Sequence, residues 1–181
     1  MARRDASAFA EFVGARSTAL HRAAYLMVGD AQLAQDLVQE ALTKTYVAWP
    51  RLRDPSSAEA YTRKAITTTA IGWYRRRAWR SERPRGDVPE TARAGHADGV
   101  VSREWVWAAL QQLPVRQRAA IVLRFYEDLT EAQTADAMGC AVGTVKSQVS
   151  AGLAKLRREL GEDAIEVDLL PAGGTTKDVT T

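Results

Sequence analysis

The sequence predicts an all-α protein of two small helical domains, an N-terminal helical bundle and a C-terminal helix-turn-helix, joined by a flexible linker. Apolar residues recur at three- and four-residue steps through residues 1–80, and this helical periodicity fails across residues 81–101. It resumes over residues 102–161, which end in two short helices around a glycine turn. With 181 residues, 46% of them hydrophobic, the chain is long enough for one or two small cores.

The first two predicted helices are separated by a short turn. Gly29 offers a left-handed cap for the first helix, and Asp30 follows it as an N-cap for the second. The second helix carries an apolar stripe from Leu33 to Trp49 and is ended by Pro50.

A third helix is predicted from Pro55 to about Trp79. Ser56 and Glu59 have the spacing of a capping box at its start. Three amphipathic helices of this length can bury a common core, so residues 1–80 are expected to form a small bundle.

The second domain is predicted to follow a linker rich in proline, glycine and polar residues. Helices resume at Arg103, and Pro114 is expected to restart a helix as a first-turn proline. Thr130 and Gln133 have capping-box spacing at the entrance to the helix-turn-helix. The tail, residues 162–181, ends in a glycine- and threonine-rich stretch and is expected to be disordered.

The last predicted helix has two chemically distinct faces. Its apolar face consists of Val145, Val149, Leu153, Leu156 and Leu160. Its other face gathers Thr144, Ser147, Gln148, Ala151 and Arg158. A helix that reads bases in a DNA groove needs short polar side chains on its outer face, although an ordinary amphipathic surface helix stays an alternative.

Positive charge is concentrated in one segment, although the net charge of the chain is only +3. Residues 61–85 hold eight arginines and lysines against one acidic residue, whereas residues 162–181 hold five acidic residues against one lysine. The basic segment interleaves with Trp73, Tyr74 and Trp79, a combination suited to single-stranded nucleic acid because cations hold phosphates and rings stack on bases. The alternative is that the rings belong to the core and the arginines form a solvated helix end.

Several classes of protein are disfavoured by the composition. Cys140 is the single cysteine, and only His21 and His96 could join it, so neither a disulfide nor a metal site is expected. The chain shows no phosphate-binding glycine loop, paired histidines or nucleophile motif, so we expect neither an enzyme nor a cofactor. It has no apolar run of membrane-spanning length and no signal-peptide core, so no membrane insertion is expected and an intracellular protein is predicted.

Two sets of motifs stand in order along residues 6–160. The first set is Gly29-Asp30, 34–42 (AQDLVQEAL), Trp49, 60–64 (AYTRK) and 73–77 (WYRRR). The second set is 113–118 (LPVRQR), 122–128 (VLRFYED) and 142–147 (VGTVKS). Together, and with a linker between them, they resemble the extracytoplasmic-function (ECF) sigma factors of bacterial RNA polymerase.

The resemblance implies a protein that binds core RNA polymerase and promoter DNA, first as duplex and then as a melted single strand. It also allows an anti-sigma factor as a partner, and it implies cytoplasmic, nucleoid-associated action without catalysis by this chain. The implied polymerase contacts are Asp36, Gln39 and Glu40. The implied contacts to the minus-ten element are Tyr61, Arg63, Lys64, Thr68, Trp73, Tyr74, Arg75, Arg76 and Arg77. The implied contacts to the minus-thirty-five element are Thr144, Lys146, Ser147, Gln148, Ala151 and Lys155.

The chain departs from the family pattern at several of these positions. Thr68 stands where asparagine is frequent, and Gln148 and Ala151 stand where arginine is frequent. Ala141 replaces a turn residue that is often serine or proline, and as an N-cap it would leave the last helix without a side-chain cap.

Two other functions are compatible with parts of the sequence. One is a response-type helix-turn-helix regulator that binds duplex operators without polymerase. The other is a helical protein that docks on polymerase as an inhibitor without binding DNA. Neither accounts for both sets of motifs.

Overall fold

The computed structural model describes residues 2–52, 54–80 and 103–161, which are helical and contain no strand. The chain divides into two compact units, one before and one after residue 100. The all-α prediction is therefore confirmed for the described residues. The predicted linker, 81–101, and the predicted disordered tail, 162–181, lie outside the described residues.

In the described residues up to Arg80, the first unit is a bundle of three α-helices. Helix α1 spans Ala2–Val28, α2 spans Ala31–Ala48 and α3 spans Pro55–Arg80, with a short 3₁₀ turn at Trp49–Arg51 after α2. Each helix contacts the other two. The shared core includes Phe12, Leu20, Met27, Leu37, Val38, Ala41, Ile66 and Ala70.

The turn between α1 and α2 has the predicted caps. Gly29 adopts φ 72°, which favours glycine, and its N–H donates to the carbonyl of Tyr25 at 2.8 Å. The carboxylate of Asp30 accepts a hydrogen bond from the Leu33 N–H, also at 2.8 Å. Both predictions are confirmed.

The predicted capping box at the start of α3 is wrong. The cap is Asp54, whose carboxylate accepts from the Ser57 N–H at 2.8 Å and from the Ser56 hydroxyl at 2.6 Å. A carboxylate that precedes the helix accepts these bonds better than a serine hydroxyl does, and Ser56 therefore acts as a donor. Glu59 is left to pair with arginines instead.

Over residues 103–161, the part of the second unit that the structure describes, there are four α-helices. Helix α4 spans Arg103–Gln111, α5 spans Val115–Ile121, α6 spans Glu131–Met138 and α7 spans Val142–Leu160. A π-helical turn, Val122–Tyr126, extends α5. Helix α7 contacts α4, α5 and α6, so the long last helix is the centre of this unit.

Pro114 lies outside its helix, so the prediction of a first-turn proline is wrong by one position. Its ψ of 142° is extended, which makes it the N-cap of α5. Its carbonyl still accepts the first backbone bond of the helix, from the Arg118 N–H at 3.0 Å. Proline is tolerated in either position because it has no N–H to leave unsatisfied.

Candidate polymerase and nucleic-acid interfaces

The predicted polymerase contacts lie on the outer face of α2. Asp36, Gln39 and Glu40 are exposed, whereas Leu37 and Val38 between them are buried. The two carboxylates have partners on their own helix. Gln32 Nε2 donates to Asp36 at 3.1 Å, and Lys44 Nζ lies 2.6 Å from Glu40. These are exposed i,i+4 pairs, which contribute little to stability and leave the carboxylates accessible to another protein.

The basic and aromatic residues near the end of α3 occupy different environments. Arg75, Arg76 and Arg77 are exposed, and Trp73 and Tyr74 are half-buried. The three arginines are therefore accessible to a polyanion. Trp79, the third aromatic residue of this segment, has no described side chain.

Trp73 is held between two neighbours. Its ring makes a T-shaped contact with the ring of Tyr74, with 4.9 Å between ring centres and 81° between the planes. The guanidinium of Arg77 lies 5.2 Å from the Trp73 ring centre, within cation–π range. Tyr74 is fixed in turn, because its hydroxyl donates to the Val28 carbonyl at 2.7 Å. The tryptophan therefore has a defined orientation and is not part of the buried core.

Arg63 belongs to an ion-pair network that sequence analysis missed. Its guanidinium lies 2.9 Å from Glu59, and the other oxygen of Glu59 lies 3.0 Å from Arg16 on α1. The side chains of Arg63 and Glu59 are only 14% and 19% exposed. Glu59 and Arg16 are far apart in sequence, so no local pattern could indicate the contact.

The other predicted minus-ten residues lie on the same helix. Tyr61 and Thr68 are exposed, and Lys64 is half-buried. The hydroxyl of Thr68 donates to the Lys64 carbonyl at 2.7 Å. This intrahelical bond is typical of threonine in a helix, and it leaves the oxygen lone pairs as acceptors toward solvent.

The helix-turn-helix is confirmed and has well-defined ends. Thr130 Oγ1 accepts from the Gln133 N–H at 3.2 Å, and the Gln133 side chain accepts from the Thr130 N–H at 2.8 Å, which is the predicted capping box. Gly139 takes the left-handed conformation, φ 62°, at the end of α6. Ala141 is the N-cap of α7 and makes no side-chain cap, as its chemistry predicts.

The predicted duplex-reading residues form the outer side of α7. Lys146, Ser147 and Ala151 are exposed, whereas Val145, on the opposite side, is fully buried. The remaining members of the set, all half-buried, are Thr144, Gln148 and Lys155.

Lys146 has a partner that sequence analysis did not identify. Its ammonium group lies 3.5 Å from the carboxylate of Glu131, in the first turn of α6. Both side chains are exposed. The pair joins the two helices of the motif, and it places a negative charge beside a predicted DNA contact.

Within the described ranges, no group of acidic, histidine and cysteine residues could hold a metal ion. None of the described helices is both long and apolar enough to cross a membrane.

Comparisons with known proteins match both units. Residues 12–80 match the family described as Sigma-70 region 2, and residues 103–156 match Sigma-70, region 4. The chain is 38% identical to the RNA polymerase sigma-E factor of Streptomyces coelicolor, over 84% of this chain and 85% of that protein. It is 30% identical to the ECF RNA polymerase sigma factor EcfG of Rhodopseudomonas palustris, over 76% and 77% of the two chains.

The fold resembles a solved structure from Bartonella quintana, that of the sigma factor RpoE in complex with the anti-sigma factor NepR. The TM-score is 0.66 with 25% sequence identity, and the match covers 88% of this chain and 98% of the other.

Proposed function

Because the chain belongs to the ECF family of RNA polymerase sigma factors, we propose that its three candidate surfaces divide the work of transcription initiation. A sigma factor binds core polymerase, recognises promoter DNA and promotes strand opening. In this proposal the outer face of α2 binds polymerase, α3 captures the melted minus-ten element, and α7 reads the minus-thirty-five element. Residues 1–80 and 102–161 form the two working domains, residues 81–101 link them, and the polymerase performs the chemistry.

Strand capture by α3 is supported by the arrangement around Trp73, and this observation carries the proposal. An exposed run of arginines follows a half-buried tryptophan whose orientation is fixed by Tyr74. The cations can hold backbone phosphates of either duplex or single strand. The tryptophan can stack only on a base that has left the duplex, so its binding energy favours the open state.

Duplex reading by α7 is supported by its position in the helix-turn-helix. The second helix of this motif enters the major groove, where polar side chains meet the edges of the bases. Ser147 and Lys146 are exposed for such contacts, and Ala151 adds a small apolar surface. A thymine methyl is a suitable partner for that alanine.

Polymerase binding by α2 is supported by its exposed carboxylates. Asp36 and Glu40 present exposed carboxylates to a basic partner, which would compete with Lys44 for Glu40. Such charge complementarity speeds association more than it tightens the complex.

Regulation by an anti-sigma factor is a further part of the proposal. The structural neighbour from Bartonella quintana is described in complex with one. We expect action in the cytoplasm at the nucleoid, where promoters and polymerase meet.

Promoter opening tests the central assignment. Trp73→Ala should lower the permanganate reactivity of melted thymines in the complex with core polymerase, while binding to duplex promoter is retained, because stacking is gained only after unpairing. Arg51→Ala removes an exposed arginine from the 3₁₀ turn and serves as the control. If the Trp73 variant opens the promoter normally, Trp73 does not bind the melted strand and has only a structural role.

Run-off transcription tests the function as a whole. Purified chain added to core polymerase should produce transcripts from specific promoters. A duplex-binding regulator would bind DNA without polymerase and yield no such transcripts, and an inhibitor would reduce transcription by polymerase already supplied with a sigma factor.

A further inference from the structure

Val47, near the end of α2, is an unusually exposed apolar residue. It is 75% exposed, the largest fraction among the exposed large hydrophobic residues in the described part of the chain. A single exposed valine needs no explanation by itself. Its position on the helix makes it informative.

Val47 continues the stripe of α2 that carries the proposed polymerase contacts. Asp36, Glu40, Thr43 and Val47 follow one another at steps of four, three and four residues, which keeps them on one face of a helix. All four side chains are exposed. The face is therefore polar over its first three members and apolar at its C-terminal end.

Tyr46 widens this apolar end and is held in place from α1. It is 54% exposed, and its ring contacts that of Phe9 edge-on, with 5.0 Å between centres. Phe9 in turn contacts Trp49 at 5.1 Å. A surface whose aromatic side chain is already ordered loses less conformational entropy when it binds a partner.

The polar members of the face already have partners on α2. Glu40 pairs with Lys44, Asp36 accepts from Gln32, and the Thr43 hydroxyl donates to a backbone carbonyl of its own helix. Exchanging these bonds for bonds to polymerase yields little net free energy. Val47 has no such exchange to make, because burying it simply removes apolar surface from water.

We propose that Val47, supported by Tyr46, is the apolar anchor of the polymerase-docking surface, and that the carboxylates upstream of it steer and orient the encounter. The proposal rests on the docking role proposed for α2. The occupant is core RNA polymerase, because the same face of α2 carries the proposed polymerase contacts and its exposed carboxylates favour a basic partner.

Association kinetics with core polymerase test this division of roles. Val47→Ala removes two methyl groups from an exposed position, so the helix should stay folded. We expect the dissociation rate to rise about five- to tenfold, from the apolar surface lost, with little change in association rate. Asp36→Asn should instead slow association and flatten its dependence on salt.

The control is Val142→Ala, the same change at an exposed valine on α7. If Val47→Ala leaves the dissociation rate unchanged, Val47 is not the apolar anchor of the docking surface. If the double substitution of Asp36 and Glu40 by lysine still weakens binding in that case, the docking role of α2 survives. If neither set of variants weakens binding, both the anchor and the docking role fall.

Discussion

A glycine in the middle of α7 allows a direct test of how the second unit is packed. A Cβ added to Gly152 would lie 2.6 Å from Ile121 Cδ1 and 3.4 Å from Gln117 Cβ, both on α5. Ile121 is fully buried, so its methyl group can retreat only by disturbing the core. We therefore predict that Gly152→Ala lowers the free energy of unfolding of this unit.

The expected loss follows from two opposing effects. Replacing glycine by alanine inside a helix ordinarily stabilises it by about 0.8–1 kcal/mol. Overpacking a filled core costs about 1–3 kcal/mol. We therefore expect Gly152→Ala to lower the free energy of unfolding of the second unit by about 1 kcal/mol.

Gly143, on the same helix, provides the matched control. A Cβ there would meet nothing within 4 Å, so Gly143→Ala should be neutral or stabilising by up to about 1 kcal/mol. Ile121→Val removes the methyl group that clashes, so the cost of Gly152→Ala should largely disappear in that background. The difference between the two backgrounds is a coupling energy of the kind a double-mutant cycle measures.

Native-state hydrogen exchange of the full chain is the suitable measurement, because it separates amides of the two units. Equal stabilisation by Gly152→Ala and Gly143→Ala, or an absence of rescue by Ile121→Val, would refute the close approach of α5 and α7.

Three further predictions concern single side chains. Tyr74→Phe removes the hydrogen bond to the end of α1 and should lower the free energy of unfolding, measured by chemical denaturation, by about 0.5–1.5 kcal/mol. An unchanged free energy of unfolding would mean that water satisfies the hydroxyl equally well. Hydrogen bonds from the Ser56 hydroxyl and the Ser57 N–H lower the pKa of Asp54, so its contribution to stability is present at neutral pH and lost as pH falls through the lowered pKa. Thermal unfolding of the parent and Asp54→Ala should therefore differ at neutral pH and converge at acid pH, and a constant difference would contradict this. Ala151→Arg should steepen the salt dependence of promoter binding by about one counterion if the new arginine reaches a phosphate. Weaker binding would indicate a steric clash in the groove. An unchanged affinity and an unchanged salt dependence would mean that residue 151 does not contact the DNA.

Features set by neighbouring residues could be predicted from sequence. Gly29 and Asp30 cap their helices as expected, and so do Thr130 and Gln133, because each depends on a partner within four positions. The start of α3 shows where such reasoning fails. A serine with the right spacing was preceded by a stronger acceptor, and the sequence pattern does not weigh two competing caps.

Contacts between distant parts of the chain could not be predicted. Tyr74 was selected for its aromatic ring, yet its hydroxyl donates a hydrogen bond to the carbonyl of Val28, the last residue of α1. The π-helical turn Val122–Tyr126 also has no simple sequence signal. It is followed by Asp128 at φ 50°, and Arg124 donates to the Leu129 carbonyl across this turn. Packing within each unit decides these features, whereas local preference does not.

The proposed strand capture by α3 can be divided between the two ends of that helix. Arg63 is largely buried and shares Glu59 with Arg16, so releasing it to a phosphate would leave a poorly solvated carboxylate behind. The run Arg75–Arg77 is exposed and lies within one helical turn of Trp73. Phosphate binding at the end of α3 therefore requires no core ion pair to break, and it places the backbone beside the ring that could receive an unpaired base. We infer that the start of α3 holds the helix against α1, and that its last turns capture the melted strand.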